Sequence, residues 1–212
     1  AVGDGEGVYR LLAQALFVGG GATALVLLLL RLLAELLMDQ FGVDRRLLSP
    51  LLIMSWGLPF WTLSAIFVHV ARAFRIMRYE VLTKRVAEPT LLLAGGVLAY
   101  VQGLGQTGLA VAFVVSAAGG ALLGAFLLNR QLPLRALWPH LKRPATPRAL
   151  LRFCAPIGVY DLLNLLLQRM DLFFVGYFLP FAAAGVYGLA QETAFAAKKI
   201  RQIFDPILIP VL

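Results

Sequence analysis

The chain has 212 residues, of which 60% are hydrophobic and 14% charged, with a mean hydropathy of +0.83. Soluble domains carry about 25% charged residues, so this composition excludes a soluble fold. Apolar runs long enough to cross a bilayer, about 20 residues each, also exclude the alternating strands of an outer-membrane barrel. The formal net charge of +8 sits largely in the joins between apolar runs, where basic residues set membrane topology, so it does not point to nucleic acid.

In chain order, Leu11 to Leu30 forms a first uncharged span, and the helix is expected to continue past Arg31 and Glu35 to Phe41-Gly42. Leu47 to Val70 forms a second, with Pro50 and Pro59 inside it. Such prolines are tolerated at membrane depth where neighbours repair the freed bonding. Val86 to Val101 and Leu109 to Leu128 read as the third and fourth spans. Between them lies Gly103-Leu104-Gly105-Gln106-Thr107-Gly108, which matches a dinucleotide fingerprint in letters only. It lacks the preceding strand and reads as a turn. Residues 129–149, with four prolines and five basic residues, are the linker between two halves, 1–128 and 150–212. Leu150 to Leu179 is the fifth span, and Pro180-Phe181 leads into a sixth from Ala182 onward. The fold class is therefore all-α, a polytopic membrane bundle of about six helices. Cys154 is the single cysteine, so neither an internal disulfide nor a thiol metal set is available. The chain opens at Ala1 without methionine and closes on the apolar Ile207 to Leu212, so both ends read as cuts through a longer protein.

Basic joins alternate with poor ones. The segments 72–85 and 130–148 are rich in arginine and lysine, while the joins after the third and fifth spans carry no basic residue. The basic joins are expected in the cytoplasm, and with them the N-terminus. Arg72, Arg75 and Arg78 recur every third residue. They read as topology charges, with a contact to anionic headgroups as the second reading.

The fifth span is not uniformly apolar. Asp161, Asn164, Gln168 and Asp171 fall on one face of a helix, with Arg169 beside them. The sixth carries Gln191, Lys198, Gln202 and Asp205 on one stripe, with Glu192 and Lys199 in a parallel row and Arg201 close by. An ionised group at membrane depth costs about 2.5–3.5 kcal/mol on insertion scales, and persists where it faces protein, a partner or water. Acids and bases on two neighbouring helices therefore point to a polar cavity for transport. The other reading is ion pairing that locks two helices together. Elsewhere, Gly120, Gly124 and Ala117 make a close-packing face. No nucleophile–base arrangement is evident, so no enzyme is expected.

Three segments carry a resemblance: Leu151-Arg152-Phe153-Cys154-Ala155-Pro156-Ile157-Gly158; Leu167-Gln168-Arg169-Met170-Asp171-Leu172-Phe173-Phe174-Val175-Gly176-Tyr177-Phe178; and Ala184-Gly185-Val186-Tyr187-Gly188-Leu189-Ala190. In order and spacing they resemble the seventh and eighth helices of polysaccharide-export flippases of the multidrug/oligosaccharidyl-lipid/polysaccharide (MOP) exporter superfamily. Phe204-Asp205-Pro206-Ile207-Leu208-Ile209-Pro210 resembles the close of the eighth helix, Gly3-Asp4-Gly5-Glu6-Gly7 the loop before the third, and Arg78-Tyr79-Glu80-Val81-Leu82 the segment between the fourth and fifth. The resemblance implies a two-bundle fold around a central cavity. This chain would then hold family helices three to six of the first bundle and the first two of the second. It implies export of a polyprenyl-diphosphate-linked oligosaccharide across the plasma membrane by alternating access, without a cofactor but with room for a coupling cation such as Na⁺ or H⁺, beside polysaccharide polymerase machinery. On that reading Arg169, Lys198, Lys199 and Arg201 would hold the diphosphate. Asp161, Asp171 and Glu192 would bind a cation or sugar hydroxyls, and Asn164, Gln168 and Asp205 would complete the cavity. A cation-coupled drug antiporter of the same superfamily and a non-transporting scaffold of polysaccharide assembly remain as alternatives.

Overall fold

The computed structural model describes the backbone of residues 5–41, 45–142 and 148–208, and side chains within 6–34, 46–133, 135–141, 150–180 and 182–195. Every regular element among them is helical. The residues divide into two units, Ala1–Leu150 and Leu151–Leu212.

In the first unit, α1 (Gly5–Phe41) runs through Arg31 and Glu35 and ends at Phe41, as its pattern predicts. The second apolar run is broken in two. Helix α2 (Leu48–Ser55) and α3 (Gly57–Ala73) meet at Trp56. The break has a local cause. Pro59 has no N–H, so the Ser55 carbonyl loses its helical donor. At Gly57, a Cβ would lie 2.6 Å from the Phe113 ring, so only a bare backbone fits there.

The next helix begins earlier than the hydropathy pattern suggests. Short α4 (Met77–Glu80), a π-helical turn (Val81–Ala87) and α5 (Glu88–Val101) follow one another without a gap. Lys84 and Arg85, assigned by sequence to the preceding join, are thus helical. Lys84 tolerates this because it pairs with Glu88 one turn on, at 2.7 Å. A tight turn with Gly103 at φ +66° and Gly105 at φ +57° leads into α6 (Gly105–Asn129). Both glycines are needed there, since positive φ is disfavoured once a Cβ is present.

The close contacts fix the directions. Thr23 meets Thr62 at 3.0 Å and Gly19 lies against Ile66, so α1 and α3 are antiparallel. Gly57 lies against Phe113 and Gly124 against Phe67, so α3 and α6 run parallel. Glu88 lies against Gly120, Gly95 against Ala112 and Ala99 against Gly108, so α5 and α6 are antiparallel. The small-residue face of α6 is buried through Gly108, Ala112, Ser116, Ala117, Gly120 and Gly124. Without a hydrophobic drive between helices in lipid, such close backbone approach is a main source of association. At one end, Leu12, Ala13, Leu128 and Leu137 form a core, and the short α7 (Trp138–Lys142) follows, its His140 stacked on Tyr9.

The second unit is a helical hairpin. Helix α8 (Arg148–Phe178) and α9 (Phe181–Leu208) are joined at Leu179-Pro180. The Pro180 carbonyl accepts from the N–H groups of Ala183 and Ala184, which closes the first turn of α9. By length and apolar content, four helical stretches among the described residues can cross a membrane: Glu6–Ala34, Leu48–Ala73, Gly105–Asn129 and Leu150–Phe178. The Met77–Val101 stretch is interrupted by the π-helical turn and, with α9, completes a polytopic all-α membrane protein.

Candidate functional site

The hairpin turn at Pro180 sets which residues of α8 and α9 face one another. Leu172 and Gly188 stand equally far from it, and a Cβ on Gly188 would lie 3.8 Å from the Leu172 side chain. The polar residues flank this contact. Asp171 Oδ2 accepts hydrogen bonds from Tyr187 Oη at 2.9 Å and from Gln191 Nε2 at 2.7 Å. Tyr187 and Gln191 are one helical turn apart on α9, so one carboxylate reaches both. One step further from the turn, Arg169 donates from Nη1 and Nη2 to Glu192 Oε1, each at 3.1 Å.

Along α8 the stripe continues. Gln168 Nε2 donates to Asn164 Oδ1 at 3.2 Å, consistent with their i,i+4 spacing. Asp161, near the middle of the helix, is exposed and forms no hydrogen bond or ion pair among the described residues. The structure therefore brings together Arg169, Asp171 and Glu192 across the hairpin, ties Asn164 to Gln168, and leaves Asp161 apart. Lys198, Lys199, Arg201 and Asp205 lie in the part of α9 whose side chains fall outside the described residues.

Tyr187 and Gln191 are functional candidates that the sequence reading did not select. Gln191 had appeared only on a stripe, and Tyr187 only within a family-like segment. Folding the chain back at Pro180 would have placed both opposite Asp171. The Gln191 Oε1 atom is buried and has no hydrogen-bond partner. Swapping the amide would set that oxygen against the Asp171 carboxylate, so the orientation is fixed by charge.

The site is open rather than packed away. The Arg169 and Glu192 side chains keep 42% and 59% of their accessible surface. Ionised groups with that much free surface are costly against hydrocarbon. Chemically, this face of the hairpin offers a planar cation suited to bidentate contact with phosphate oxygens. Beside it lie a carboxylate, a phenol and an amide, the usual partners of sugar hydroxyls.

The first unit holds a second ionic group. Glu88 pairs with Lys84 and accepts from Ser64, inside the α3–α5–α6 packing. Hydropathy alone hid it, because both residues sit at the edge of the apolar run.

A family model described as "Polysaccharide biosynthesis protein" matches residues 12–212. No curated protein and no solved structure matches the chain.

Proposed function

Because this chain belongs to the polysaccharide biosynthesis protein family, a family of membrane transporters, we propose that it moves a lipid-linked oligosaccharide precursor across the plasma membrane by alternating access, with the basic joins cytoplasmic. The observation that carries the reading is the exposed, ionised face of the α8–α9 hairpin, with Arg169 paired to Glu192 and Asp171 held by Tyr187. The cargo bears a diphosphate. Its oxygens compete with Glu192 for the Arg169 guanidinium, exchanging an internal carboxylate for a substrate anion. Charge-assisted bonds of this kind are about twice as strong as neutral ones. The internal partner keeps the arginine paired when the site is empty. Asp171, held by Tyr187 and Gln191, stands ready to accept from sugar hydroxyls.

The test is Arg169→Gln in the protein expressed by its own cell. Surface polysaccharide should fall at least about tenfold, the scale of one lost charged contact, while the protein stays in the membrane. The swapped double variant Arg169→Glu/Glu192→Arg separates roles. A structural lock predicts that it restores export; a cargo contact predicts that it does not, because the cation now sits on the wrong helix. Normal export in Arg169→Gln, with altered resistance to cationic dyes, would transfer the site to a drug-antiport reading.

A further inference from the structure

Arg72, Arg75 and Arg78 recur every third residue, and the fold takes that stripe apart. Arg72 is gripped by Glu80, at 2.6 Å. Arg75 sits in the turn that closes α3. Arg78 alone joins the next helix, where α4, the π-helical turn and α5 run on from Met77 to Val101. Along the start of that helix the side chains sort by fours. Tyr79 and Glu80, Thr83 and Lys84, Ala87 and Glu88 are buried or half-buried. Met77 and Arg78, Val81 and Leu82, Arg85 and Val86 are exposed. A repeat of four residues exceeds the 3.6 of an α-helix, and the wider π-helical turn supplies it. The outward face therefore carries an arginine, an apolar pair and a second arginine. That second cation is Arg85, which the three-residue spacing does not pick out.

Neither cation has an acid to itself. Glu80, the one acid between residues 72 and 85, is held by Arg72, and Glu88 is held by Lys84. Arg85 acts on Glu80 through its field, but forms no hydrogen bond or ion pair among the described residues. Arg78 lies over the Tyr79 ring, 5.5 Å from its centre. A guanidinium held by its face keeps its N–H donors, which lie in its own plane, for another partner.

We propose that Arg78 and Arg85 form a binding site for the phosphate of an anionic phospholipid headgroup, on the face they share beside Leu82. Depth supports it. From Pro89 to Val101 the helix carries no charge, but these 13 residues span about 20 Å, short of a hydrocarbon core about 30 Å thick. A crossing counted from the turn after Val101 takes about 20 residues and so reaches Leu82. Arg85 then lies just inside the hydrocarbon edge and Arg78 one turn outside it. Long arginine stems bring both guanidinium groups to the headgroup layer, where planar donors match phosphate oxygens. A zwitterionic headgroup brings its own cation, whereas two arginines without acids are balanced by a lipid of net negative charge. An acidic peptide would match the charge but not the exposed Val81, Leu82 and Val86 between and beside the arginines.

The test uses the full chain in lipid nanodiscs, with Leu82→Cys in a Cys154→Ser background and bimane on the new thiol. Acyl-chain nitroxide quenchers are supplied on phosphatidylglycerol or on phosphatidylcholine, at equal mole fraction. Each arginine near an anionic surface contributes about fivefold in affinity, so quenching should favour phosphatidylglycerol by at least about tenfold. The preference should shrink in high salt. Either single glutamine variant, Arg78→Gln or Arg85→Gln, should lower it about fivefold; Arg78→Gln/Arg85→Gln should erase it, and Arg78→Lys/Arg85→Lys should keep most of it. Equal quenching by the two lipids, or a preference that survives Arg78→Gln/Arg85→Gln, would overturn the site. So would a saturable bimane shift on adding polyglutamate to discs of phosphatidylcholine alone, which would make the partner an acidic peptide. The site rests on membrane insertion and not on export, so none of these outcomes bears on the α8–α9 face.

Discussion

At Arg75 the chain adopts φ +60°, a left-handed conformation that non-glycine residues enter at a cost. It closes α3: the Ile76 N–H reaches back to the Ala71 carbonyl at 3.0 Å, and the Arg75 N–H to that of Arg72 at 2.8 Å. Helices commonly stop this way with glycine at the left-handed position. Arg75→Gly should therefore stabilise the first unit by about 1 kcal/mol, read as a higher midpoint of thermal unfolding in nanodiscs. A fall would mean that the arginine makes a contact worth more than its strain. Across the same turn Arg72 grips Glu80, at 2.6 Å through Nη2 and 3.0 Å through Nε. The Arg72 hydrogen bond, ahead of the other influences, holds the Glu80 carboxyl below its ordinary value near 4.5. The sign follows from that direction. A depressed carboxylate stabilises the fold above the unfolded pKa, and the contribution is lost as pH falls through the folded one. The stability difference between wild type and Glu80→Gln should thus be present at neutral pH and vanish in acid. A difference that persists below the folded pKa would show that the side chain acts by packing.

At the scale of elements, the α5–α6 pair depends on absent side chains. A Cβ on Gly120 would overlap the Glu88 carboxylate, one on Gly108 would lie 2.7 Å from Ala99 Cβ, and one on Gly95 2.8 Å from Ala112 Cβ. Gly95 and Gly108 meet other small side chains, which have no rotamer by which to yield. Gly95→Val should cost about 1–3 kcal/mol through forced separation of the helices, measured as loss of folded protein in detergent. Gly20→Val on α1, where nothing lies within 4 Å, should be tolerated in the same assay. The α6 packing face was legible in advance, since Ala117, Gly120 and Gly124 recur at helical spacing. The division of the second span at Trp56 was not. Pro50 and Pro59 signalled irregularity, but the close approach of Phe113 to Gly57 involves a residue far away in sequence.

For the whole molecule, the directions of α1, α3, α5 and α6 put Arg75 and the Gln102–Gly108 turn at opposite ends of the first unit. The proposed cytoplasmic placement of the basic joins is tested by a single cysteine in a Cys154→Ser background. A membrane-impermeant thiol reagent should label Gln106→Cys in intact cells, and Arg75→Cys after permeabilisation. The reverse pattern would invert the topology and with it the direction of export. In the second unit, Asn164→Cys should be labelled from water and Leu165→Cys should not, if the polar stripe of α8 borders a hydrated cavity. Equal protection of both would remove the cavity from the export mechanism.

Sequence alone determined that the chain is an all-helical membrane protein, where its apolar spans lie, and which face of the fifth is polar. Those properties follow from local composition and a 3.6-residue period, so no long-range contact is needed to read them. Only the tertiary structure decided that Asp171 is held by Tyr187 and Gln191, that Arg169 meets Glu192, and that Lys84 and Glu88 are drawn into the bundle beside Ser64. Each of those pairings depends on where a turn reverses the chain or where a glycine lets two backbones approach, and neither is encoded in the residues that meet.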